Sequence, residues 1–305
     1  MKEYEVVIVG GGPAGLTAGL YASRYGLNTI LLERSLFGGQ IVNASEVHNY
    51  PGFPNGVSGM DLGQLIYDQA VKFGLQAEIA DFTAIKSNGS SFDITLDEET
   101  ITTKTVIIAT GSNYRKMGVA GEERLTGRGV SYCATCDGFL FKNKEVAVVG
   151  GGDTAVTDAL ELSQHCKTVY VIHRRDQLRA SEAVQRAAFS NERIKFIWNS
   201  VVERLEGQER LDNVIIRDVK TGGTSNFSVS GVFVAIGLIP NSELFKGLLE
   251  LDEAGNIVSD EMMHTSVPGI FTAGDIRRNS ARQVATAVGD GATAAKSAFS
   301  YLKER

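Results

Sequence analysis

"EVVIVGGGPAGLTAGLYAS" at residues 5–23 and "EVAVVGGGDTAVTDALELS" at residues 145–163 align without a gap, 140 positions apart. Each opens on a short apolar run, Val6–Val9 or Val146–Val149, of the kind that forms a buried parallel strand. Three glycines follow, then a helix-like stretch. The glycines fit a dinucleotide fingerprint: Gly10, Gly12 and Gly15 in the first copy, Gly150, Gly152 and Ala155 in the second. The first position makes the tight turn and the second lets backbone approach a pyrophosphate. The third permits close helix–strand packing, and alanine is tolerated there. The pyrophosphate then rests on a helix N-terminus, where free N–H groups and the dipole favour an anion. One such motif alone carries little weight, because a glycine-rich turn gives the same pattern. Two copies, each between a strand and a helix, predict an α/β chain with two dinucleotide sites.

The end of the second strand of each copy separates them. In "NTILLER", Glu33 stands 23 residues after Gly10, where an acid accepts hydrogen bonds from a ribose 2′-OH. The same offset from Gly150 lands on His173 in "VIHRRDQLRA", followed by Arg174, Arg175 and Arg179. Guanidinium groups bind phosphate through paired, charge-assisted hydrogen bonds, so this set suits a 2′-phosphate. The first site is expected to take an unphosphorylated dinucleotide and the second NADP(H).

The 305 residues are enough for two domains, and 43% hydrophobic with 22% charged residues suits a soluble globular protein. A net charge of −6 argues against a general nucleic-acid binder. The start "MKEYEVVIVGGG" shows no apolar leader, and runs such as "GVFVAIGLIP" (231–240) reach about half the ~20 residues of a membrane span. Three cysteines are too few for a secreted disulfide framework, so a cytoplasmic location is expected. Two of them lie in "SYCATCDGF" (131–139). Where lasting disulfides are unusual, such a pair is a redox centre, half a metal site or a coincidence of spacing.

Further motifs bring a family into view: "GGGPAG" (10–15), "FGGQ" (37–40), "IIATGS" (107–112), "GRGVSYCATCDGF" (127–139), "VVGGGDTA" (148–155), "HRRDQLRAS" (173–181), "VFVAIGLIPN" (232–241), "TAGD" (272–275) and "RQVATAVGDG" (282–291). In this order, with CATC between the two fingerprints, the chain resembles the low-molecular-weight, bacterial-type thioredoxin reductases, which are FAD-dependent pyridine nucleotide-disulfide oxidoreductases. The resemblance implies an α/β fold of two Rossmann-like dinucleotide-binding domains. The NADPH domain, 117–243, would be inserted into a discontinuous FAD domain, 1–116 and 244–305. The FAD contacts implied are Gly10, Gly12, Pro13, Ala14, Gly15, Glu33, Gly39, Gln40, Asn49, Thr110, Gly111, Gly274, Asp275, Arg282 and Gln283. Among them Asp275 would hold the ribityl–pyrophosphate region, and Gln40, Asn49 and Gln283 would lie near the isoalloxazine. For NADPH they are Gly150, Gly152, Asp153, Thr154, His173, Arg174, Arg175 and Arg179. A homodimer is implied by the family alone. The absence of a further CxxC argues against the longer relatives that carry a thioredoxin-like domain of their own.

A structural zinc site needs about four ligands, and only Cys166 and four scattered histidines remain, so no metal is expected. Beside two dinucleotide sites, Cys133–Cys136 reads as the redox pair, and Cys166 as a small buried residue. The resemblance makes Cys136 the charge-transfer thiolate facing the flavin, Cys133 the thiol that attacks the partner disulfide, and Asp137 the acid–base group. Thioredoxin would be the partner, with Phe139 and Leu140 as an apolar pocket and Arg128 in the preceding loop. The inserted domain would rotate between two arrangements, with hinges near Gly118 and Pro240. The alternatives are a flavin-dependent dithiol oxidase, a ferredoxin-linked reductase, a reductase of another disulfide on the same fold, and a non-catalytic redox sensor.

Overall fold

The computed structural model describes residues 2–44, 46–97 and 99–305. The chain divides into two compact units, Met1–Asn113 with Ile239–Arg305, and Tyr114–Leu238.

In the first unit the apolar run Val6–Val9 lies in the strand Glu3–Val9, and Val6, Val7 and Ile8 are fully buried. Burial on both faces is what a strand in a helix-covered parallel sheet undergoes. It pairs in parallel with Thr29–Glu33 on one side and Thr100–Ile108 on the other, and Gln76–Ile79 extends the first edge. Thr100–Ile108 is long enough to serve two further neighbours besides Glu3–Val9. Its first half pairs antiparallel with Phe92–Leu96, and its second half pairs in parallel with Ile270–Thr272. The C-terminal segment thereby joins the sheet built by the N-terminal one. The helix Pro13–Arg24 covers one face and packs against Val284–Lys303 through Ala14, Ala18, Ala294 and Ala298. Small residues let the two backbones close up: a Cβ on Gly291 would sit 2.2 Å from the Ala14 carbonyl oxygen.

The second unit repeats this plan. Ile194–Ile197, Thr168–Ile172, Glu145–Val149, Gly231–Val234 and Val130–Ser131 make a five-stranded parallel sheet. Val6 faces Thr29 in the first unit and Val146 faces Val169 in the second, the same 23-residue register. An antiparallel sheet of Ser200–Glu206, Asn213–Asp218 and Thr224–Ser228 precedes the fourth strand. Among the described residues, no helix is long and apolar enough to cross a membrane, and no group of three or more potential metal ligands assembles.

Candidate active site and nucleotide turns

The first fingerprint lies between Glu3–Val9 and Pro13–Arg24, with Gly12 as N-cap and Pro13 in the first turn. Gly10 adopts φ +106°, and a Cβ there would lie 2.3 Å from the Ala109 carbonyl oxygen. Gly15 is closed more tightly still, with its would-be Cβ 1.9 Å from the Gly10 carbonyl oxygen. Gly12 is different: a Cβ there meets only the Gly39 Cα, at 3.9 Å, and no side chain caps the helix. Free N–H groups beside open space are what a pyrophosphate requires. Glu33 ends the second strand, and its carboxylate accepts from Gly11 N–H at 2.7 Å and Ser35 N–H at 3.0 Å. It is thereby pinned beside the turn, with lone pairs left for a ribose hydroxyl. These residues fit an unphosphorylated dinucleotide.

The other residues expected around FAD fall into four groups. Gln40 Nε2 donates to Asn113 Oδ1 at 2.9 Å, Asn113 Nδ2 to Asn241 Oδ1 at 2.8 Å, and Asn241 Nδ2 to the Thr110 carbonyl at 2.8 Å. Asn49 Nδ2 donates to Gln283 Oε1 at 3.0 Å, and Gln283 caps Val284–Lys303 in a capping box with Thr286. Gly39, Gly111 and Arg282 all have positive φ, which for Arg282 at +57° is the left-handed region that side chains disfavour. The Gly274–Asp275 turn meets the first helix, since a Cβ on Gly274 would be 2.9 Å from Ala14 Cβ. Asp290 holds it by accepting from Gly274 N–H at 3.1 Å while paired with Arg277 at 2.6 and 2.9 Å. Ser112 donates to the Asp275 carbonyl at 2.7 Å and Ser280 to its carboxylate at 3.1 Å. Burial raises the Asp275 pKa. Asn113, Asn241, Arg277 and Asp290 were not among the expected site residues, although Asn241 and Asp290 stand in the quoted stretches 232–241 and 282–291. They act through partners far along the chain, and no short motif records that.

In the second unit Gly150 has φ +154°, and its would-be Cβ meets the Ala235 carbonyl oxygen at 2.4 Å. Gly152 caps Asp153–Ser163 with nothing within 4 Å of a Cβ and no side-chain cap, so this helix start is open too. Asp153 is exposed and accepts from Ser181 N–H at 2.8 Å. Thr154 is exposed. His173 is only 5% exposed, and a Cβ on Gly151 would fall 2.2 Å from its Nδ1. Its Nε2 has no hydrogen-bond partner in the protein. Burial, joined by the charges of Arg179, Arg174 and Arg175, pushes His173 below the ordinary imidazole value. The three arginines are exposed, and no ion pair takes any of them among the described residues. An orphaned buried nitrogen beside three uncommitted guanidiniums fits a phosphorylated ribose.

Cys133 and Cys136 form a disulfide across the short helix Ala134–Asp137. Cys133 is its N-cap, and Cys133 Sγ accepts from Cys136 N–H at 3.2 Å. Asp137 is half-buried. That burial raises its pKa, partly offset by a 2.6 Å hydrogen bond from Ser131 Oγ. Ser131 also accepts from Cys133 N–H at 3.1 Å. Thr135 Oγ1 donates to Glu161 at 3.0 Å. Tyr132 stacks on Tyr114 with ring centres 5.2 Å apart and donates to Glu122 at 2.8 Å. Glu122 is buried and also accepts from Met117 and Gly118 N–H. Phe139 and Leu140 stand 45% and 41% exposed just past the pair. Cys166 is 1% exposed, and burial pushes its thiol up to about 11, which leaves it unreactive.

A dithiol pair with a half-buried acid, in a chain carrying two nucleotide turns, is the equipment of disulfide reduction. The pyridine nucleotide-disulphide oxidoreductase family matches residues 4–291. Over 304 residues the chain is 45% identical to a thioredoxin reductase of Listeria innocua, covering 99% of this chain and 95% of that one. The chain belongs to the low-molecular-weight thioredoxin reductase family. A Bacillus subtilis thioredoxin reductase is 43% identical over 304 residues, covering 99% of this chain and 96% of the other. A crystal structure of the Streptococcus pyogenes thioredoxin reductase superposes with a TM-score of 0.96 at 43% identity, with 99% of each chain covered. Within this family's architecture the structure gathers the expected residues into separate groups. The residues expected around FAD, with Asn113 and Asn241, lie in the first unit, and the three arginines, His173 and the cysteine pair lie in the second.

Proposed function

We propose that the protein reduces the disulfide of a thioredoxin with electrons from NADPH, by way of FAD and the Cys133–Cys136 pair. The observation that carries this reading is the Cys133–Cys136 disulfide beside the half-buried Asp137, in a chain with two open nucleotide turns. FAD belongs to 1–116 with 244–305, held by Gly10, Gly12, Glu33 and the Gly274–Asp275 turn. NADPH belongs to 117–243, at Gly150, Gly152, His173 and the three arginines. Bound there, FAD would supply the two-electron chemistry that links NADPH to the cysteine pair, and Cys133–Cys136 would open to a dithiol. Cys133 as thiolate then attacks the partner disulfide, and the departing sulfur takes a proton from Asp137. Asp137 recovers that proton from the Cys136 thiol, whose sulfur closes on Cys133 and frees the second partner thiolate. A raised pKa suits Asp137 to this work, because a carboxyl that burial makes hold its proton more tightly is better able to deliver that proton to a departing thiolate. Phe139 and Leu140 present apolar surface to the partner.

Two further assignments go with this reading. The protein works in the cytoplasm, where a dithiol catalyst faces reduced surroundings. It forms a homodimer, supported by Met60 and Leu65 on Gly59–Lys72, which stay 52% and 51% exposed in the single chain.

The test is covalent trapping. Cys136→Ser leaves Cys133 able to form a mixed disulfide that the enzyme has no thiol to resolve. With a thioredoxin lacking its own resolving cysteine, a stable complex is expected on a non-reducing gel. Trapping by Cys133→Ser instead reverses the two roles. Unchanged turnover in both variants removes the pair from the chemistry.

A further inference from the structure

Ser131 ends the strand Val130–Ser131 and is 6% exposed. Its hydroxyl is the meeting point of three groups: Asp137 Oδ2 at 2.6 Å, Cys133 N–H at 3.1 Å and the Cys133 carbonyl at 3.3 Å. A hydroxyl has one proton to give. The oxygen lone pair accepts from Cys133 N–H, so the proton is shared between two acceptors. An ionised Asp137 at 2.6 Å outcompetes a neutral carbonyl at 3.3 Å, because charge-assisted bonds are shorter and stronger. A protonated Asp137 reverses this, since its own O–H then donates to Ser131 Oγ and the serine proton turns to the Cys133 carbonyl.

We propose that Ser131 is the positioning residue for Asp137, setting the strength of the acid and reporting its proton state to the backbone of Cys133. The inference rests on the thiol–disulfide exchange reading above. When Asp137 gives its proton to the departing partner sulfur, the Ser131 O–H swings onto the new carboxylate and stabilises it. When Asp137 takes the Cys136 proton, the hydroxyl swings back. One proton moves between Asp137 and sulfur in each step, and Ser131 only reorients, so the balance of the exchange is unchanged.

The surroundings leave Ser131 this control. Besides Asp153, which accepts from Ser181 N–H, the charged groups on the helix packed against Ala134–Asp137 are Asp158 and Glu161, and Glu161 is taken up by Thr135. None of them adds to the shift of Asp137, which burial raises and the Ser131 bond lowers. Asp137 must hold its proton to act as the acid, so dithiol–disulfide exchange falls off as pH rises through its pKa. Without the Ser131 bond the carboxylate is less stable, the pKa climbs, and this alkaline limb moves upward.

The experiment is the pH profile of disulfide reduction by the FAD- and NADPH-loaded protein. In Ser131→Ala the alkaline limb is expected to move up by about one pH unit, with the plateau rate about tenfold lower. Ser131→Thr, which keeps the hydroxyl, restores the wild-type limb. Ser131→Cys keeps the volume with a weaker donor and places the limb between the two, which serves if Ser131→Ala does not fold. Asp137→Asn abolishes the limb, and adding Ser131→Ala to it changes nothing further. A limb that stays at its wild-type pH in both Ser131→Ala and Ser131→Cys overturns the inference alone. A wild-type protein with no NADPH-dependent disulfide reduction overturns the reading it rests on.

Discussion

In the first unit Gly38 N–H donates to the Gly11 carbonyl at 2.8 Å, and in the second Arg179 N–H donates to the Gly151 carbonyl at 2.7 Å. The loop after the second strand folds back onto the middle glycine in the same way both times. At the strand end, Glu33 binds Gly11 N–H, whereas His173 lies against Gly151 and binds no group through Nε2. One turn therefore carries a fixed anion and the other a neutral ring ringed by guanidiniums. The backbone decides where these side chains go, and the side chains decide the charge that each site prefers. A shared scaffold can thus hold two related cofactors apart, because a ribose hydroxyl wants an acceptor and a phosphate wants donors.

The sharpest way to break the parallel is at the third fingerprint position. Gly15→Ala would place a methyl carbon 1.9 Å from the Gly10 carbonyl oxygen, while the second unit already has Ala155 there. Overpacking of this kind costs about 1–3 kcal/mol or more, and here it pushes the helix off its strand. Gly15→Ala is expected to lose bound FAD, read as visible absorbance after gentle purification. Ala155→Gly should keep NADPH binding and lose only about 1 kcal/mol of stability, the helix cost of glycine. Wild-type FAD content in Gly15→Ala would show that the two helices are not seated differently.

The charge difference is tested next. Replacing Arg174 and Arg175 by Ala together should raise KM for NADPH roughly 30- to 100-fold, from loss of charge-assisted phosphate contacts, and alter KM for NADH by less than about threefold. An unchanged NADPH-to-NADH ratio would reduce the arginines to surface charge.

The smallest effect concerns the helix of the second turn. Asp158 has its pKa raised to about 6 by burial, with the Glu161 charge adding to it. A folded-state pKa above the unfolded value means the native protein holds the extra proton. Stability therefore falls as pH rises from about 4 to about 6 and stays reduced above that. Asp158→Asn should remove this penalty of about 1–3 kcal/mol and raise Tm at pH 7.5, with little change at pH 4.5. Equal Tm gains at both pH values would mean that the carboxylate charge is not the cause.

The repeat was legible because the strand–turn–helix unit is local. Val6–Val9, Gly10 and Gly12 stand within a few residues of one another, and Glu33 and His173 follow at a separation that a parallel β-unit fixes. Asp137 beside Cys136 was legible for the same reason. Ser131 lay in the quoted "SYCATCDGF" stretch, yet its bond to Asp137 depends on how a two-residue strand enters a one-turn helix, which residue order does not specify. Asp153 shows the same. It stands in the fingerprint as an expected nucleotide contact, and one of its carboxylate oxygens also accepts from Ser181 N–H, a bond that residue order does not announce.

By itself the sequence determined the two α/β units, the glycine turns, the acid in one and the bases in the other, and the cysteine spacing. These rest on backbone geometry and residue type over short separations. Only the tertiary structure decided which side chains brace them. Asn113 meets Asn241 across 128 residues and Ser112 meets Asp275 across 163. Such pairs form when strands from opposite ends of the chain, Thr100–Ile108 and Ile270–Thr272, lie side by side in one sheet. Hydrogen bonds reach about 3 Å whatever the distance along the chain, so no local pattern announces them.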